Sequence, residues 1–232
     1  MQIPECWQAT WNSIYFCILT VPLGIILALL VAVFLNSKIK GKIVFRAIYF
    51  LPMVVAPAAV GMVWKWMFNA NYGIINQIFH TNISWLTDPN LAIISCAAVA
   101  IWSAVGYDAV LLLSGLQSVP KNLYEAASLD GASGVQQFFH VTLPAVSPTL
   151  FVVVIMRLMS SLKVFDILYM MISDSNPALL DTQSLMMLFY RESFTIGNKG
   201  YASAIVVWTV LLIGIVTAFQ FWGQKKWVSY DV

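Results

Sequence analysis

The 232-residue sequence is 60% hydrophobic and only 9% charged, with a formal net charge of +2. A soluble domain carries about 25% charged residues, so a water-facing globule of this size is excluded. The charge pattern gives no sign of a nucleic-acid partner.

The apolar residues fall in blocks long enough to cross a hydrocarbon core of about 30 Å, which takes about 20 helical residues. The chain therefore reads as an all-α integral membrane protein, a single transmembrane domain over 1–232 with the lipid bilayer as its main solvent. Five spans are predicted, at 11–35, 43–68, 91–116, 146–171 and 201–222. Helix is the default for each, because backbone groups in lipid must be satisfied within the segment.

Residues 1–10 carry no Lys or Arg, so the first block is expected to be a retained span and not a cleaved leader. Of the cysteines, Cys17 and Cys96 lie within apolar blocks and read as small buried hydrophobes. After the first span come Lys38, Lys40, Lys42 and Arg46; Lys121 follows the third span, and Lys225 and Lys226 follow the last. The opposite loops, 69–90 and 172–200, set Arg191 and Lys199 against Asp88, Asp174, Asp181 and Glu192. Lys and Arg concentrate on the cytoplasmic side, so the first loop, the 117–145 loop and the tail are placed there. An odd number of spans then leaves the N-terminus outside. Either the chain lacks a first helix or it is a five-span subunit, and the sequence leaves both open.

Pro52 and Pro57 interrupt the second span, each removing a backbone donor. A simple kink is the first reading, and an opened backbone lining a pathway is the second. On the third span, Ala100, Ala104 and Tyr107 share one helical face. Small residues beside an aromatic ring suit a sugar's hydroxyls and flat C–H faces, and they equally suit helix–helix packing. Ionisable Asp108, Arg157, Lys163 and Asp166 sit within or near the spans, where such groups face an interior or a partner. Lys163 and Asp166, three apart on a helix, are expected to pair. His80 and His140 lie in loops on opposite sides and cannot form one site.

The 117–145 loop is the most informative stretch. Pro120 suits a helix start and Gly131 its stop. Between them Leu123, Ala126, Ala127 and Asp130 are spaced along one face, thin enough for another protein to approach closely. Taken alone, this helix serves equally as a docking knob or as a connector. Glu125, Ala126, Ala127 and Gly131, followed after nine residues by Val141, Leu143 and Pro144, closely resemble the EAA loop of binding-protein-dependent ABC importer permeases. Val141 stands where that family usually has Ile. The segment from Phe45 to Asn76, Trp85 to Pro89, Phe165 to Tyr169 and Gly200 to Ala204 resemble the carbohydrate-uptake subfamily, with the maltose, glycerol-3-phosphate and multiple-sugar permeases nearest. Residues 174–178 depart from it, since Asp-Ser-Asn-Pro-Ala replaces the usual Gly-Gly-Pro and puts that turn in question.

The resemblance implies a type I ABC importer permease fold that moves a sugar, and it assigns ATPase coupling to Glu125, Ala126, Ala127, Asp130, Gly131, Leu143 and Pro144. It carries a sugar-contacting tyrosine of the maltose permeases onto Tyr107, with Ala104, Ser161 and Arg157 as further pathway candidates. It implies a second permease subunit, two copies of a cytoplasmic ATPase that hold ATP and Mg, and an extracytoplasmic sugar-binding protein, all at a bacterial or archaeal cytoplasmic membrane. No G-x-x-x-x-G-K-[ST] loop occurs in the chain, so ATP hydrolysis is expected to reside in the separate ATPase and no cofactor in this subunit. The competing readings are an ABC permease for another small solute, such as an amino acid or glycerol phosphate, and a proton-driven secondary transporter working through Asp108 and Asp166.

Overall fold

The structure is a computed structural model that describes residues 3–37 and 42–228. Lys38 and Lys40, which enter the orientation argument, lie outside the described residues.

Among the described residues the protein is helical throughout. The first helix, α1 (Ile3–Asn36), starts well before the predicted span. It is followed by α2 (Lys42–Val54), α3 (Pro57–Met67) and a short α4 (Ile74–Phe79). The long α5 (Pro89–Ser118) leads into α6 (Lys121–Leu129) and α7 (Gly134–Gln137). A π-helical turn (Phe138–Thr142) then joins α7 to α8 (Leu143–Leu162). At the other end lie α9 (Asp166–Met171), α10 (Leu179–Thr182), α11 (Leu185–Tyr190) with a second π-helical turn (Arg191–Ile196), and finally α12 (Lys199–Trp227). Four of these helical stretches are long and apolar enough to cross a bilayer, and the bent α2–α3 pair makes a fifth.

Two expected spans are broken. Between α2 and α3 the chain turns by 104°, far beyond a proline kink. Ala56 is extended, at φ −57° and ψ 132°, as the residue before a proline must be, and Pro57 opens a new helix. The fourth span also differs from the 146–171 expectation. Its helix begins at Gly134, runs through the π turn to Leu162, and stops there; α9 is a separate element. The π turn sits where Pro144 lacks a donor, and the Leu143 N–H reaches back five residues to the Phe138 carbonyl.

Helix α5 is the central post. Its outer half buries Ala92, Ile93, Cys96, Ala97 and Val99 against Phe16 of α1 and Leu168 and Met171 of α9. Its inner half buries Ala109, Leu112 and Leu116 against Ala28, Ala32 and Leu35 of α1 and Val146 and Val153 of α8. Such small residues admit close backbone approach, which is how helices pack when lipid supplies no hydrophobic drive. Gly106 is the extreme case, since a Cβ there would sit 2.0 Å from the Tyr49 carbonyl oxygen of α2.

Polar side chains stitch the outer end. The Asn12 amide donates to the carbonyls of Leu180 (2.8 Å) and Gln183 (3.1 Å), and Ser13 Oγ accepts from the Leu185 N–H. Arg191 of the outer π turn donates to Glu5 of α1. Asn76, buried, gathers the 69–90 segment by donating to Ala70 and Ile83 carbonyls and accepting from Thr81 and the Trp85 indole. Asp88 then caps α5 by accepting from the Asn90 N–H, with Pro89 at the first helical position. The divergent 174–178 turn has its own device. Asn176 accepts from the Ala178 N–H and donates to the Leu86 carbonyl, so an Asx turn shapes this segment and ties it to the chain just before α5.

Candidate functional site

The first candidate region is the α6–α8 segment, at the inner ends of α1 and α5. Helix α6 begins after extended Pro120 and ends in a Schellman motif. The Ala132 N–H bonds to the Ala127 carbonyl at 3.0 Å and the Gly131 N–H to Ser128 at 3.1 Å. Gly131 has φ +77°, which glycine adopts without the steric penalty other residues incur. Ser133 and Gln136 form a capping box that starts α7. Three side-chain bonds tie α6 and the loop after it to α7 and the π turn: Tyr124 Oη with Thr142 Oγ1 (2.9 Å), and the Gln137 amide to Ser128 Oγ and the Ala132 carbonyl (each 3.1 Å). Tyr124 thereby joins α6 to the residue that precedes α8.

The faces of α6 are not as the spacing suggested. Leu123 and Tyr124 pack inward on the α1–α5–α8 core. Ala127 is half-buried against a small groove shared with Gly131, Gln137 and His140. Asp130 is the C-cap, outside the helix proper. The outward surface holds Glu125, Ala126 and Leu129, the last 90% exposed. Leu129 was missed in the sequence reading, though it lies six residues from inward-facing Leu123 and so turns to the other side. Leu143 and Pro144 are half-buried at the first turn of α8, behind the π turn.

The second candidate region is a cavity of about 450 Å³ where the two spans break. Pro52 and Pro57 border it from the α2–α3 bend, and Lys163, Phe165 and Asp166 from the α8–α9 break. Hydroxyls of Thr20, Ser103, Ser160 and Ser161 and the charged groups of Arg157, Lys163 and Asp166 supply its polar lining, and Thr20 Oγ1 and Ser161 Oγ are 2.6 Å apart. The 104° break exceeds a simple kink and sets the interrupted backbone beside this cavity. Discontinuous helices beside a mid-membrane cavity are a recurrent transporter arrangement.

Of the pathway candidates, Ala104, Ser161 and Arg157 line the cavity; Tyr107, half-buried and one turn along α5, does not. The expected Lys163–Asp166 pair is absent, because the helix ends at Leu162 and helical i,i+3 spacing no longer holds. Arg157 instead pairs with buried Asp108, its Nε donating to Oδ2 at 2.8 Å, while Nη2 donates to the same oxygen and to the Ala104 carbonyl. Thr20 and Ser160 were not singled out in the sequence; single hydroxyls within apolar helices give little signal. Among the described residues no cluster of His, Cys, Asp or Glu has metal-site geometry.

Comparison with known proteins follows the same lines. Residues 20–228 match the family described as binding-protein-dependent transport system inner membrane component. The sulfoquinovosyl glycerol transport system permease protein SmoG of Agrobacterium fabrum is 32% identical over 219 residues, covering 93% of this chain and 70% of that protein. The trehalose/maltose transport system permease protein MalF of Thermococcus litoralis is 34% identical over 213 residues, covering 90% and 71%. The A. fabrum sn-glycerol-3-phosphate transport system permease protein UgpA is 34% identical over 222 residues, covering 94% and 75%. In fold, the chain superposes on a chain of a bacterial ABC transporter involved in the import of the acidic polysaccharide alginate, with a TM-score of 0.88 at 20% identity, covering 97% of this chain and 80% of that one. A chain of the MetNI methionine ABC transporter gives a TM-score of 0.67 at 18% identity, covering 99% and 100%. The chain is a member of the binding-protein-dependent transport system inner membrane component family, a permease with the helical fold of ABC importers.

Proposed function

We propose that this chain is one permease subunit of an ATP-driven importer that carries a mono- or oligosaccharide across a bacterial or archaeal cytoplasmic membrane. A second permease subunit completes the channel, two copies of a cytoplasmic ATPase bind ATP and Mg, and an extracytoplasmic binding protein delivers the sugar. The observation that carries the reading is α6. It is a short helix outside the spans, stopped by Gly131 at φ +77° and bonded through Tyr124 to the start of α8. Glu125, Ala126 and Leu129 face outward on it and would meet the ATPase. The hydroxyl-lined cavity and the substrates named for the SmoG and MalF relatives support a sugar.

A glycerol phosphate is the second reading. Lys163 borders the cavity with no salt bridge, and UgpA is among the relatives. A proton-driven mechanism is disfavoured because Asp108, one of its two candidate carboxylates, is held by Arg157.

The test is uptake by the whole complex in proteoliposomes with its binding protein outside and ATP inside. Labelled neutral oligosaccharide should accumulate only with ATP, and a protonophore should leave the rate unchanged. Accumulation of glycerol phosphate alone would select the second reading. Uptake that collapses with the proton gradient and ignores ATP would overturn both.

A further inference from the structure

Helices α5 and α8 flank the coupling loop, one running into it and the other out of it. They pack along one antiparallel seam, where Val146 and Val153 of α8 meet Ala109, Leu112 and Leu116 of α5, and two further contacts mark it. Near the loop, Gly115 lets Thr149 in so closely that a Cβ on Gly115 would lie 2.6 Å from Thr149 Oγ1. Seven residues back along α5 and eight onward along α8 lies the second contact, Asp108 with Arg157. At 1.5 Å per residue the two contacts are about 10–12 Å apart. Apolar packing is non-directional and lets the helices rock about the tight Gly115–Thr149 contact; the directional ionic contact fixes the angle between them. The second contact is ionic and desolvated, with side-chain exposures of 3% for Asp108 and 16% for Arg157. Arg157 also lines the cavity, whereas Asp108 does not.

We infer that the Asp108–Arg157 pair is a strut that makes α5 and α8 one rigid arm, so that displacement of α6 reaches the cavity wall without loss at a pivot. The inference rests on the proposed coupling role of α6. Both residues are positioning residues in this role. Without the strut, α8 swings about the Gly115–Thr149 contact, the ATPase still cycles, and less of each stroke arrives at the cavity. A buried ion pair is a costly way to hold two helices, since well-packed apolar residues of like volume often stabilise as well or better. A fixed helix–helix geometry is what the pair supplies in return.

The experiment uses the complete transporter in proteoliposomes and reads sugar taken up per ATP hydrolysed. The neutral double variant Asp108→Asn/Arg157→Gln removes the charges while leaving no lone buried ion, so the complex should assemble. Its uptake per ATP should fall about tenfold, within the usual range of coupling between sites. The reversed pair Asp108→Arg/Arg157→Asp should recover most of that ratio. An unchanged ratio in the neutral variant overturns the strut. So does a reversed pair as poor as the neutral one, because Arg157 would then act by touching substrate. Failure of both variants to assemble, measured by co-purification with the ATPase, also overturns it and leaves the pair a folding requirement. Failure of the underlying reading is seen separately, as absence of ATP-driven uptake in the unmodified complex.

Discussion

Gly131 shows how one residue can matter without touching anything. No atom lies within 4 Å of the place a Cβ would occupy, so a side chain there meets no clash. The cost is in the backbone alone. An L-residue in the left-handed region loses about 1–2 kcal/mol, Asn less than others. Gly131→Val should therefore loosen the end of α6, and the ATPase should co-purify poorly while membrane insertion stays normal; Gly131→Asn should retain more of the ATPase. Equal ATPase recovery for Val and Gly would count against α6 as the docking element. The pathway candidates divide in the same way. Ala104 lines the cavity and Tyr107 does not, so Ala104→Trp should obstruct the space and abolish most uptake in an assembled complex. Tyr107→Ala should reduce uptake per folded transporter only if the helices rearrange to bring Tyr107 to the substrate. A loss confined to yield and thermal stability would assign Tyr107 to packing.

At the level of elements, apolar length predicted the order of the membrane spans, and their number once the bent α2–α3 pair is taken as one, because a bilayer imposes length directly. The breaks were not legible. Pro52 and Pro57 read alike as a kink or an opening, and the 104° turn is decided by how α2 and α3 pack on neighbours distant in sequence. The stop at Leu162 had no proline or glycine to announce it, and the predicted Lys163–Asp166 pair failed with it. The α6 helix was legible in its proline start and its glycine stop, yet not in its faces, since burial of Leu123 and Tyr124 depends on α1, α5 and α8 together. Gly106 tests the packing of α2 on α5. Its neighbour is the Tyr49 backbone, which cannot yield as a flexible side chain would. Gly106→Ala should push α2 away and cost about 1–3 kcal/mol, as overpacking does. Thermal unfolding in detergent should register the drop. Gly214→Ala on α12, with nothing within 4 Å, is the control and should be near neutral. Equal midpoints for the two variants would mean that α2 does not pack against α5 as described.

For the whole molecule, the long helices place opposite charge patterns at opposite ends. The inner ends of α1 and α5 and the start of α8 meet at α6, beside Lys121. Phe221 near the end of α12 packs on Phe151 in the middle of α8, and Lys225 lies one turn beyond it toward the end of α12. The other end holds α4, α9, α10, α11 and the acidic residues Asp88, Asp174 and Asp181. Between the ends, residues such as Val210, Ile215 and Phe219 of α12 are more than half exposed, a surface that only lipid or another membrane subunit can cover. The positive-inside tendency then predicts a cytoplasmic α6. Single cysteines at Asn122 and Lys199, both exposed and at opposite ends, report this directly. Cys17 and Cys96 are buried, and half-buried Cys6 is first replaced by serine to remove the background. In intact cells a membrane-impermeant maleimide should label Lys199→Cys and spare Asn122→Cys. In inverted vesicles the pattern should reverse. Labelling of Asn122→Cys from outside would turn the molecule over, and with it the assignment of α6 as the face that meets the ATPase.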